Sequence, residues 1–258
     1  MKKYLPIKNI FPFILSTLAI LLCVISCTKD AVAGVADYVF TPAVEYGERE
    51  FDIKFGSATL PAGNSAQVAS VGLGFGTKEY WFTEVYFKQE RSGNVTASLL
   101  EWENKFQLTA PGEYAVDTGL VTELEAPLSA DIPWEAKIGM LFQTEFGWLQ
   151  LNVNMLFKRA FGKADPSGAP YTTNFGYQLQ AKYRWQPVME FGVQYFGDMG
   201  EWNNWDEKAK QNRRIGPAVF GKIASGSRQY VKYNAAWLIG VTDASPDHTF
   251  RMQIEYEY

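Results

Sequence analysis

From about residue 48 onward the chain switches between apolar and polar side chains with a period of two, segment after segment. Successive side chains of a β-strand point to opposite faces, so this period is the signature of strands with one oily and one wet side. Phe51, Ile53 and Phe55 alternate with Glu50, Asp52 and Lys54; Trp134, Ile138, Met140 and Phe142 alternate with Glu135, Lys137 and Gln143. Leu149 to Phe157, Phe175 to Tyr183, Met189 to Tyr195 and Val231 to Val241 repeat the pattern. These runs exceed the five or six residues typical of soluble strands and match the ~9–11 that cross a bilayer at a tilt. No second long apolar run follows the N-terminal one, which excludes a bundle of membrane helices.

The final strand carries the pattern to the last residue. Phe250, Met252, Ile254, Tyr256 and Tyr258 share one face; Arg251, Gln253, Glu255 and Glu257 share the other. Ending on a strand suits a closed sheet, in which the last strand pairs with the first and no edge is left free. About twelve strands can be counted, starting near Glu48, Ala66, Glu79, Val95, Glu113, Ile132, Gly147, Thr173, Pro187, Asn212, Arg228 and Asp247. Tight turns such as Gly76-Thr77-Lys78, Phe146-Gly147, Gln186-Pro187 and Ser225-Gly226-Ser227 alternate with longer links, Ser92-Gly93-Asn94 being a short exception. The expected fold is an all-β, antiparallel, transmembrane up-and-down barrel of about twelve strands, with its short turns on the periplasmic side.

Ahead of the barrel, Lys2, Lys3 and Lys8 precede an uncharged run from Ile10 to Cys27. A basic start, an apolar middle and a small-residue site read as a secretory signal peptide over residues 1–33, leaving residues 34–258 as the barrel. Ala31-Val32-Ala33 offers a cut before Gly34, while Val24-Ile25-Ser26-Cys27 has the form of a lipobox that would make the product a lipoprotein acylated at Cys27. The only two cysteines are Cys23 and Cys27, so neither a disulfide framework nor a thiolate metal cluster is available. A formal net charge of -4 argues against nucleic acid as a partner.

Aromatic residues make up 16% of the chain, and many adjoin the expected turns. Trp81, Trp148 and Trp185 lie beside the tight ones and Trp134 lies at the opposite rim, the arrangement of membrane-interface girdles. On these features the mature chain resembles a Gram-negative outer-membrane β-barrel, similar in character to small exported porin- or transporter-like barrels. The resemblance implies insertion by the barrel-assembly machinery, with Phe250, Tyr256 and Tyr258 in the C-terminal assembly signal, and outer-membrane lipids as surroundings. It implies no cofactor and supplies no solute.

Function is less legible. A bore of twelve strands is narrower than that of a 16–18-stranded porin. Its mid-strand charges Glu101, Glu103, Lys105, Lys182, Arg184 and Glu190 are the constriction candidates of a passive channel for small polar solutes. The same charges pairing across the bore would give a closed barrel with a structural or surface-binding role. The loop around Trp202, Trp205 and Asp206 is a candidate outer binding site for a saccharide or Ca²⁺, against the plainer reading of a solvated loop with interface-anchoring rings. His248, the only histidine, has Ser245, Asp243 and Asp247 nearby, the raw material of a lipid hydrolase, but Ser-Pro-Asp is also ordinary turn chemistry. No metal site and no catalytic residue are assigned. Gly72-Leu73-Gly74-Phe75-Gly76 lacks the helix and acidic partner of a dinucleotide loop and reads instead as a tight inward strand face.

Overall fold

The structure, a computed structural model, describes residues 34–129, 132–163 and 170–258. Twelve long strands form its wall: β1 (Arg49–Thr59), β2 (Ser65–Lys78), β3 (Trp81–Ser92), β4 (Val95–Gln107), β5 (Asp117–Pro127), β6 (Trp134–Phe146), β7 (Leu149–Phe161), β8 (Thr173–Gln186), β9 (Met189–Glu201), β11 (Asn212–Gly226), β12 (Gln229–Gly240) and β13 (His248–Glu257). A two-residue strand, β10 (Asn204–Trp205), folds back on the end of β9. Each long strand pairs antiparallel with its neighbours in sequence, and β13 returns to β1 through pairs such as Ile254 with Ile53 and Tyr256 with Phe51. Closure therefore holds as expected, and the two terminal strands have no free edge between them.

The strand starts fall within four residues of the sequence expectation. The largest difference is at β5, expected near Glu113 and beginning at Asp117. Glu113 to Val116 alternate as a strand would, but Gly112 takes φ +74° and its N–H donates to the Asp117 carboxylate at 2.7 Å, so the backbone there is spent on a turn. The expected signal peptide, residues 1–33, lies outside the described residues.

The two faces of the wall divide as the alternation requires. On β1, Glu50, Asp52 and Lys54 are buried inside while Phe51, Ile53 and Phe55 face out. Outside, Leu73, Val85, Ile138, Val153, Phe191 and Trp237 stand about half exposed to whatever surrounds the barrel. A band of that size is sustainable in hydrocarbon and a liability in water.

Inside, the lumen is not left to solvent. Residues 34–48 run along its length before entering β1. Val35 packs on Ala58, Ala66 and Val68; Val39 on Phe196, Ala218, Phe220, Ala236 and Leu238; Phe40 on Val121 and Leu141. Among the described residues, every buried apolar cluster inside the barrel thus includes one residue of this segment. The direction follows from those contacts. Val35 meets the ends of β1 and β2 on the long-loop rim, whereas Gly76 donates its N–H to the Glu48 carbonyl and accepts from the Gly47 N–H at the short-turn rim. Two glycines let it pass. A Cβ on Gly56 would lie 2.4 Å from the Val35 carbonyl oxygen, and one on Gly76 would lie 1.9 Å from that of Glu45.

Candidate functional site

The segment in the lumen is held by side chains from nearly every sector of the wall. Near the outer end, the Arg214 guanidinium on β11 donates to the Gly34 carbonyl at 2.9 Å. At mid-height the Tyr38 hydroxyl donates to the Glu103 carboxylate on β4, with contacts of 2.8 and 2.7 Å to its two oxygens. The Lys54 ammonium sits between two rings, 4.0 Å from the centre of Tyr38 and 3.6 Å from that of Tyr86. Tyr86 in turn donates to Asp52 at 2.8 Å, and Gln253 does so from the far side of the seam at 2.8 Å. Two residues further on, Phe40 is caught by its backbone: its N–H donates to Gln178 at 3.3 Å and its carbonyl accepts from Asn154 at 3.0 Å. Val44 N–H closes the series on Gln107 at 2.8 Å. An extended chain away from any sheet has unpaired backbone groups at every residue, and these side chains take up four of them: the Gly34 carbonyl, both groups of Phe40 and the Val44 N–H.

Two polar chambers remain on either side of Tyr38. The outer one holds about 110 Å³ and is bordered by Asp37, Lys88, Glu101, Lys137, Lys158 and Arg214. The inner one holds about 480 Å³, opens toward the short-turn rim, and is bordered by Glu50, Lys105, Lys182, Arg184, Glu190 and Arg251. Tyr38 borders both.

The six constriction candidates are accordingly split. Glu101 belongs to the outer chamber, where Lys88 binds it at 2.9 Å and Glu125 at 2.6 Å. Glu103 lies fully buried under Tyr38, so it grips the segment and faces no open path. Lys105, Lys182, Arg184 and Glu190 belong to the inner chamber. Lys182 pairs with Glu190 at 3.1 Å, Arg184 with Glu145 at 2.5 Å, and Lys105 lies 4.5 Å from the Phe82 ring centre. Much of this charge is paired, although Lys105, Arg214 and Arg251 have no carboxylate within ion-pair distance among the described residues. Sequence reasoning missed two features here. One is the plug itself, since Gly34 to Glu48 carries no alternation to mark it. The other is an amide belt: Gln150 and Asn152 donate to Gln143, Gln180 donates to Asn152, Gln194 to Gln180, and Arg251 to Gln194. The amides are visible as inward positions, but their pairing needs the register.

The outer-loop candidates point elsewhere. Trp205 stacks on outward-facing Phe175 at 6.0 Å and 11°, and Trp202 meets Phe157 edge-on at 6.5 Å. Both rings lie on the lipid side of the wall, the position of interface anchors. Asp206 is tied by its backbone N–H to Met199 at 2.9 Å. Trp148 and Trp185 are more than half exposed at the short-turn rim, Trp81 stacks on Phe106 at 6.1 Å beside it, and Trp134 meets Phe161 at the long-loop rim. On the closing strand, Phe250 lies against Trp237 and Tyr256 against Tyr258. Ser245 Oγ is committed to Thr242 and to the backbone of Arg213, while the His248 ring stands beside Trp237. The two therefore do not form a nucleophile–base pair.

No protein-family model matches this sequence, and no curated protein sequence matches it either. Solved structures do. An outer-membrane channel from Pseudomonas putida F1 superposes with a TM-score of 0.60 at 13% identity, covering 86% of this chain and 98% of that one. The NanC porin gives 0.53 at 9% identity, with 81% and 98% covered. The translocator domain of the autotransporter NalP from Neisseria meningitidis gives 0.50 at 9%, with 83% and 88% covered. The fold is that of the Gram-negative outer-membrane β-barrels. At such identities the likeness concerns the fold, and residue roles rest on the geometry above.

Proposed function

We propose that this protein is a narrow outer-membrane channel for small polar solutes, in which residues 34–48 act as a seated plug that sets when the lumen conducts. The observation that carries the reading is the placement of Tyr38 between two polar chambers, inside a closed wall whose exterior is apolar. A barrel built only for structure has little use for a 480 Å³ polar chamber opening on one rim. The plug is retained by a handful of hydrogen bonds and three apolar side chains, a small set beside the continuous ladders that hold the wall. Local contacts of that number open far more readily than the barrel unfolds. The P. putida neighbour is an outer-membrane channel and NanC is a porin, which supports the class of activity without naming a solute.

Planar-bilayer recording tests it. The full mature chain is expected to give rare openings, and a variant lacking residues 35–44 sustained ones. Silence from both, in protein that inserts and folds, would remove the channel reading. It would favour the second reading, a closed structural barrel, for which the many paired lumenal charges speak.

A further inference from the structure

The inward charges of this barrel are sorted by side. On β3, β4 and β5 the inner face carries Glu84, Glu90, Glu101, Glu103, Glu123 and Glu125, with Asp117 at the short-turn end, against Lys88 and Lys105. On β11 and β13 it carries Arg214, Lys222 and Arg251, with Lys222, Glu255 and Glu257 grouped at the short-turn end. In the closed ring β11 lies six strands from β4, diametrically across, and β13 lies across from β6, the neighbour of β5. Arg214 therefore faces the acids of β4 over the bore, and Arg251 faces β6, whose inner side carries Glu135 and Glu145 beside Lys137.

The two arginines join the lumenal network through neutral partners, with Asp37 and Asp198 acting on Arg214 only from beyond ion-pair distance. Both are more than nine-tenths buried and both lie against the Phe196 ring, at 5.6 and 5.7 Å. Neither has a carboxylate within ion-pair distance among the described residues. Arg214 is bonded to the Gly34 carbonyl and its Nε has no partner; Arg251 spends two N–H groups on the single oxygen of Gln194. One borders the outer chamber and the other the inner, so they bracket the Tyr38 level. Glu84 Oε1 on β3, five strands round from β11 and three from β13, is likewise buried and unpartnered. Charges left unpaired in a low-dielectric enclosure generate a strong field across it, because little solvent is present to screen them.

We propose that this transverse field makes small zwitterions, solutes with an ammonium and a carboxylate a few ångströms apart, the preferred cargo. The inference rests on the channel reading and adds the substrate class. A solute's carboxylate would face Arg214 and then Arg251, while its ammonium would face the Glu101 and Glu84 side. A neutral solute gains nothing from the field, and a simple ion is held by one wall and repelled by the other.

The test is swelling of proteoliposomes containing the full mature chain, as wild type and as Tyr38→Phe, in isotonic γ-aminobutyrate or erythritol. The zwitterion is expected to enter several-fold faster than the neutral tetraol. Arg214→Gln with Arg251→Gln should bring the ratio of zwitterion to erythritol entry to about one. Because Arg214 also holds Gly34, erythritol entry is expected to rise, which reports an intact barrel, and the ratio within each variant is what is read. Should that pair fail to insert, Glu84→Gln with Glu101→Gln neutralises the opposite wall and is expected to act the same way. Equal entry of the two solutes in wild type, or a preference that survives neutralisation of either wall, overturns the zwitterion assignment while the channel stands. Exclusion of both solutes by wild type and Tyr38→Phe alike overturns the channel reading and this inference together.

Discussion

Tyr38→Phe is the smallest change that loosens the plug without reshaping it. The phenylalanine ring keeps its place beside Lys54, 4.0 Å away in the parent, and the wall is untouched. What is lost is the hydroxyl that donates to Glu103, a carboxylate with no exposed surface. A hydrogen bond to a charged group contributes about 1.5–3 kcal/mol, and breaking it here also leaves the seated state with a less satisfied buried anion. Taking ~2 kcal/mol and about 1.4 kcal/mol per tenfold, the unseated population should rise by roughly 30-fold. When Glu103 is uncovered by departure of the plug it meets water in parent and variant alike, so the loss falls on the closed state. Single-channel recording at fixed protein density reads this directly as opening frequency. Tyr46→Phe serves as control, since Tyr46 belongs to the same segment but is 72% exposed. An opening frequency for Tyr38→Phe within twofold of the parent, in protein with normal heat-modifiable migration, would refute the assignment of Glu103 as the grip.

Other consequences can be checked alongside. Gly56→Ala places a methyl 2.4 Å from the Val35 carbonyl oxygen, so the outer end of the plug should unseat and conductance rise while insertion stays normal; unchanged conductance would count against the threading. Asn154→Leu removes the donor to Phe40 O and leaves that carbonyl buried without its partner, which should cost ~1–3 kcal/mol of plug seating and sensitise residues 34–48 to added protease. Glu101→Gln leaves Lys88 with Glu90 and Glu125 and removes one anion from the outer chamber, so reversal potentials should shift away from cations; no shift would mean Glu101 does not border the path. Trp202 and Trp205 should be quenched by lipids brominated near the headgroup and be indifferent to added saccharide, because Trp205 is stacked on Phe175 and Trp202 packs edge-on with Phe157 on the lipid side of the wall.

The wall of this molecule is legible in its sequence because the solvent on the two sides of each strand differs so sharply. Phe51, Ile53 and Phe55 against Glu50, Asp52 and Lys54 leave no second way to orient β1, and a slip of one residue would turn three charges into lipid. The exception is local: at Glu113 to Val116 the alternation continues but Pro111, Gly112 and the Asp117 carboxylate hold a turn. The lumen was far less legible. Glu101 and Glu103 look equivalent as inward glutamates two residues apart, yet one meets Lys88 and the other a tyrosine 65 positions away. That difference comes from cross-strand register and from a plug whose sequence, with Val35, Tyr38, Val39, Phe40 and Pro42, has no periodicity to betray it. Trp202 and Trp205 were readable as aromatic and near a rim, but which side of the wall they cover depends on the turn closed by β10.

The most direct measurement of the plugged barrel uses a single cysteine at position 40 in a Cys27→Ser background, probed with a membrane-impermeant maleimide. Phe40 is 3% exposed, enclosed by Val121 and Leu141 with its backbone bound to Gln178 and Asn154. In intact cells and in unsealed outer-membrane fragments the thiol should label slowly from either side, and quickly once Gly56→Ala is added. Fast labelling at position 40 from the periplasmic face in the otherwise unmodified chain would mean that residues 34–48 hang free of the lumen and that the barrel carries no plug.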